Sequence, residues 1–362
     1  MHKRVVIGLS VLALVVVVAV GGVAAWRFLQ ETPFEQAVEA MPAETLRATY
    51  TDWAEVRAQA DGSSLDAGSS SREVSQFLNR GFEGDLVSTS AISDSTYALE
   101  RKFGFSPLGA SWEMYGQSRE GAVDVLRMDE STDVGGIEQT LRQLGYTEPA
   151  SGAGGVWAAS ADLVAQIDPT LSSVVQNIVV LEDERLVLMS DSPSYASLSA
   201  DVAQGSGSSL MSTTGAASLA SAASAPVSAV LFGSDFACEA LSMSSADEED
   251  QRVADELVSA AGGVAPLSGM VMAHQPDRSL VVAMQFEDSD QASAELAARV
   301  ELASGDAVGQ GGSFADRFEI TSAEADGDNV VLTLEPVGSA EDRAESTLLS
   351  DLSQGPVLFA TC

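Results

Sequence analysis

The order of elements along this chain predicts an α+β fold: two related halves of antiparallel hairpins and covering helices, preceded by a transmembrane helix. Three observations carry that expectation. Apolar runs interrupted by turn residues come in pairs, as hairpins require, and each pair leads into apolar residues at helical spacing. The hairpin-then-helix order occurs twice, which implies antiparallel sheets covered by helices. The opening run, residues 5–25, carries no charge and is about as long as a helix needs to cross a ~30 Å hydrocarbon core.

Lys3 and Arg4 precede that run, and the first acid is Glu31. The positive-inside rule therefore predicts residues 1–4 as a cytoplasmic tail, 5–26 as the anchor and the remainder as an extracytoplasmic domain of the cell membrane. The competing reading is a cleaved signal, with small residues at Val23, Ala24 and Ala25 for a peptidase. Its apolar core would exceed the usual 7–15 residues. Both readings send the rest of the chain to the same compartment.

Thr32-Pro33-Phe34-Glu35 has the form of a helix start, with a capping box and proline in the first turn. Phe34, Ala37, Val38 and Met41 follow at helical spacing, and Glu35 and Glu39 favour packing on the domain over lying on a membrane surface. Together with the basic start and the single apolar segment, residues 33–41 and 42–53 resemble membrane-anchored exported proteins of actinobacterial type. The likeness extends to Trp53, implies a cell-envelope setting and transfers no active residue.

Beyond this point the repeat organises the chain. Tyr50-Thr51-Asp52-Trp53-Ala54 resembles Gly233-Ser234-Asp235-Phe236-Ala237, each after a strand-like run (46–50 and 227–232). Helical stretches follow near 97–103 and 253–261, then Ser106-Pro107-Leu108-Gly109 and Ala265-Pro266-Leu267-Ser268-Gly269. Next come hairpins at 112–128 and 270–286, helices at 134–144 and 291–302, second hairpins at 177–189 and 318–334, and helices at 194–202 and 341–352. Each half closes on a proline-led apolar run, 226–232 or 356–361. The expected domains are thus residues 27–204 and 226–362, joined by the Gly/Ser/Ala-rich segment 205–225, read as a flexible linker or loop with room for a helical turn or two near 217–223. The run 356–361 is expected to return beside 226–232, so that both halves share one sheet.

The 53 acids outnumber the 18 bases, giving a net charge of −35. Such a surface repels nucleic acid, whose recognition needs a basic footprint. Cys238 and Cys362 are the only cysteines. In an exported chain a lone pair favours a disulfide, the alternative being two separate thiols; two cysteines alone cannot complete a structural zinc site.

Motifs for catalysis are sparse. His274 lies in an expected surface turn, and no Gly-x-Ser-x-Gly or Ser-x-x-Lys pattern accompanies it. The acids at 247–250 read as a helix start and Asp326-Gly327-Asp328 as a hairpin turn, each with weak calcium binding as the alternative. No cofactor is expected. The matched corners Asp52-Trp53 and Asp235-Phe236 have two readings: an Asx-type turn with an aromatic core residue, or the lip of a ligand site. The function expected is a non-enzymatic domain at the cell envelope that binds a small molecule or an envelope protein. A carboxylate-dependent envelope hydrolase and a passive assembly factor of a membrane complex are the alternatives.

Overall fold

The computed structural model describes residues 31–150, 152, 154–233 and 236–362. The expected anchor lies outside them, and among the described residues no helix is long and apolar enough to cross a membrane. Among the described residues, the two expected halves share one antiparallel sheet of eleven strands. The strands are β1 (Arg47–Thr51), β2 (Ala110–Gln117), β3 (Ala122–Met128), β4 (Trp157–Ala158), β5 (Asn177–Leu181), β6 (Leu186–Ser190), β7 (Ser228–Gly233), β8 (Gly269–His274), β9 (Leu280–Gln285), β10 (Phe318–Asp326) and β11 (Asn329–Pro336). Their order is β10-β11-β9-β8-β7-β1-β2-β3-β6-β5-β4.

This order is symmetric about its centre. From the centre outward, β1-β2-β3-β6-β5 mirrors β7-β8-β9-β11-β10, with β1 and β7 paired antiparallel where the halves meet. Carrying the Asp52/Asp235 alignment back along the chain equates Ala48 with Leu231, and these two are cross-strand partners. A local two-fold axis therefore passes through that pair.

Successive side chains in a strand point to opposite faces, and both faces here are buried. On one face Ala48, Tyr50, Trp112, Met114, Val123, Leu188, Leu231 and Val271 form a continuous core. Three helices cover it: Pro33–Glu39, Pro193–Ala203 and Ala216–Ala223. The first starts as its sequence demands, with Glu35 N–H donating to Thr32 Oγ1 at 3.2 Å and Thr32 N–H donating to the Glu35 carboxylate at 2.7 Å. It packs on the domain through Phe34, Ala37 and Val38.

The other face carries two cores, one per half. Leu126, Val187, Met189, Ile178 and Val180 pack under Ser71–Glu83, Thr96–Phe103 and Val134–Leu144. Val230, Met272, Val282, Met284 and Leu332 pack under Phe236–Leu241, Glu248–Ala260 and Ser289–Ser304.

Three expectations need correction. Residues 356–361 form no strand beside β7; they make a short 3-10 turn at Leu358–Ala360. Arg299 holds that tail by donating to the carbonyls of Phe359 (2.9 Å) and Thr361 (2.7 Å). Cys362 nonetheless reaches Cys238, and the two form a disulfide with Cα atoms 5.6 Å apart across 124 residues of chain. Chain-entropy models value such a closure at ~3–5 kcal/mol.

Next, the segment 205–225 is packed over residues 209–223. Its helix Ala216–Ala223 buries Leu219, Ala220 and Ala223. Gln285 Nε2 donates to Ser218 Oγ at 3.0 Å, tying this helix to β9.

Last, the helices expected at 194–202 and 341–352 are not spatial equivalents. The first covers the continuous core, whereas the second, split into Ala340–Ala344 and Leu348–Ser353, sends Leu348, Leu349 and Leu352 to the opposite face. The helix Ala216–Ala223 supplies the cover that the second half would otherwise lack.

Candidate functional site

The sequence-predicted corner is a structural joint. Asp52 caps the helix Trp53–Gln59, accepting from Glu55 N–H at 2.9 Å. Trp53 is fully buried and its indole N–H donates to Glu113 at 2.8 Å. Phe236 opens the matching helix, half-buried against the core of the second half; Asp235 lies outside the described residues. Asp247 caps the helix Glu248–Ala260 through the N–H groups of Glu249 and Asp250.

His274 does not sit in a surface turn. It ends β8 and is buried, its Nδ1 3.4 Å from the carbonyl of Asp85. Burial lowers its pKa. The space beside it, among Asp85, Arg278 and Leu349, holds about 10 Å³, roughly one water.

Asp85 begins a segment that crosses the central strands, and one row of side chains meets it. Ser228 Oγ donates to the Asp85 carbonyl at 3.3 Å. Thr89 Oγ1 donates to the Tyr50 carbonyl at 2.8 Å. Ser90 Oγ and Ala91 N–H each donate to Glu113 at 2.7 Å. An irregular backbone buried between two cores must find partners for its polar groups, and the row Glu113–Thr51–Ser228–His274, aligned across β2, β1, β7 and β8, supplies them. The Asp85 carboxylate in turn accepts from the N–H (3.0 Å) and hydroxyl of Ser350.

Beside that row lies a residue that sequence reasoning missed. Asp124 of β3 projects to the same face as Glu113, fully buried, with no hydrogen-bond partner for either carboxylate oxygen among the described residues. Desolvation raises the Glu113 pKa to about 7 despite its hydrogen bonds. Desolvation and then the neighbouring Glu113 push Asp124 well above the carboxylate range. The signal was present in sequence as a lone acid inside the apolar run Val123-Asp124-Val125-Leu126. Glu113 lies beneath Trp53 and the crossing segment, and both acids are buried away from solvent.

The open feature is at a sheet edge. β4, at one end, is two residues long and is bonded on its outer side to Thr147, whose N–H donates to Ala158 O at 2.8 Å. β10, at the other end, runs nine residues, and residues 321–326 are all exposed. Between β10 and the helix Ser289–Ser304 lies a groove of about 580 Å³, with apolar walls from Val300, Ala303, Phe318, Ile320 and Val337 and polar ones from Ser304 and Thr321. The register puts Ile320, Ala323 and Ala325 opposite Leu334, Leu332 and Val330, and so on the groove side. A register shift between Ile320 and Ser322 keeps Ile320 and Ala323 on one side, and Glu319, Glu324 and Asp326 project to the other. The strand turns into β11 through Gly327-Asp328. Gly327 has φ +58°, and glycine at the first central position suits a type II′ turn.

Comparison of the sequence with protein-family models and with curated proteins gives no match. Among solved structures, crystal form I of TP0453 aligns at 7% identity with a TM-score of 0.39, over 88% of this chain and 98% of that one.

Proposed function

We propose that this chain is a membrane-tethered, extracytoplasmic and non-enzymatic binding domain of the cell envelope, which engages a partner at the β10 edge and its groove. The single observation that carries this reading is the asymmetry of the two sheet edges. An exposed strand is a template for pairing with another chain, and proteins normally cover or shorten such edges. Here β4 is short and bonded to a loop, while β10 is long and bordered by a partly apolar groove. The disulfide between Cys238 and Cys362 supports an oxidising compartment, and the charge-free segment behind Lys3 and Arg4 supports the tether.

Co-purification of the full chain from native membranes tests the reading. Ala323→Pro, which removes an outward N–H, and Val337→Glu, on the groove wall, should each release a partner that the wild type retains. Arg72→Ala, on an exposed helix of the other half, should retain it. A partner held equally by all variants, or none held by the wild type, would refute the assignment.

A further inference from the structure

Resting on the binding role proposed above, the charge pattern of β10 identifies the chemistry of its partner. We propose that β10 receives an extended segment of another protein in which basic residues alternate with apolar ones, added to the sheet as a further strand.

The pattern follows from the two sides of β10. On the groove side stand Phe318, Ile320, Ala323 and Ala325, small or apolar, with Val300 and Val337 beside them. The other side carries Glu319, Glu324 and Asp326. From Phe318 to Pro336 the hairpin holds five acids (these three with Asp328 and Glu335) and no base. The nearest bases are engaged: Arg317 donates to Gln310 and Gly311, and Arg343 pairs with Glu335 at 3.6 Å. A strand laid against β10 presents its side chains alternately to the same two sides. Its apolar residues then enter the groove and its lysines or arginines meet the acids, the arrangement of strand addition with alternate side-chain pockets. A second copy of this chain would set acid against acid across the new pair, which is unfavourable.

In a two-residue hairpin the closing pair, here Asp326 and Asn329, is hydrogen-bonded, and such pairs alternate along the ladder. Ala323 and Ala325 therefore turn their N–H and C=O groups outward, available to the incoming strand. Proline at 323 removes one of those donors without breaking a bond to β11.

The test is hydrogen–deuterium exchange of the full chain in nanodiscs of uncharged phosphatidylcholine, with a short peptide alternating lysine and valine as the probe. Protection should rise in residues 318–326. A Glu319→Lys/Glu324→Lys double substitution should weaken the effect about tenfold, and Ala323→Pro should remove it. A matched peptide of glutamate and valine should protect nothing. Equal protection by both peptides, protection spread over other acidic surfaces, or indifference to these substitutions would overturn the proposal. So would protection of 318–326 that grows with protein concentration alone, since that means self-pairing. The co-purification experiment does not depend on the peptide: a native partner lost on Ala323→Pro while the lysine peptide fails would retire the basic-strand inference and leave the binding role standing.

Discussion

Glu113 and Asp124 make the stability of this protein depend on pH in a direction opposite to that of most acids. Burial raises both pKa values in the folded state, Glu113 to about 7, whereas the unfolded chain titrates near the ordinary carboxyl values of about 4. Between those limits the folded state binds more protons than the unfolded one, so stability falls as pH rises. The wild type should lose stability as pH rises from about 4 to about 7, and further as Asp124 titrates above the carboxylate range, measured by denaturant unfolding. A Glu113→Gln/Asp124→Asn variant should lack that part of the slope. His274, whose pKa burial lowers, acts in the reverse sense as pH falls below about 6.5; the difference between wild type and variant therefore isolates the acid pair. An unchanged slope in the variant would show that these carboxyls are not the titrating groups.

At the scale of elements, hairpins and caps were legible because their signals are local. Thr32-Pro33-Phe34-Glu35 fixed a helix start, and Gly327 between Asp326 and Asp328 fixed a turn. The helix Val134–Leu144 agrees with its apolar spacing residue for residue. What escaped was set by contacts distant in sequence. Nothing near His274 announces Asp85, and nothing near Glu113 announces Ser90 or Trp53. The edge groove was equally invisible, because which strand ends a sheet is a property of topology. The Gly/Ser/Ala-rich segment misled for another reason: small residues can pack closely as well as flex. Leu219→Ala tests this directly. A packed helix with Leu219 buried should cost ~2–4 kcal/mol on truncation, while a flexible linker would give no measurable change in unfolding midpoint.

At the scale of the whole molecule, one sheet runs through both halves, joined at β1 and β7 and left open at β10. The central pairing joins residues 47–51 to 228–232, and Asp52 N–H adds a bond to Val227 O at 2.7 Å. The disulfide lies wholly within the second half and does not link the two. A chain cut between Ser206 and Gly207, in an exposed turn, should accordingly remain a single species on size exclusion without reductant or with it. Separation into two folded pieces would contradict a shared sheet.

The most direct measurement of the binding role is a photo-crosslinking residue placed at Ser322 of the full chain in intact cells, with the same residue at Arg72 as the control. A discrete adduct from position 322 that is absent from position 72 is the result predicted here. No adduct at 322, or the same adducts from both positions, would contradict the assignment of β10 as the surface through which this protein works.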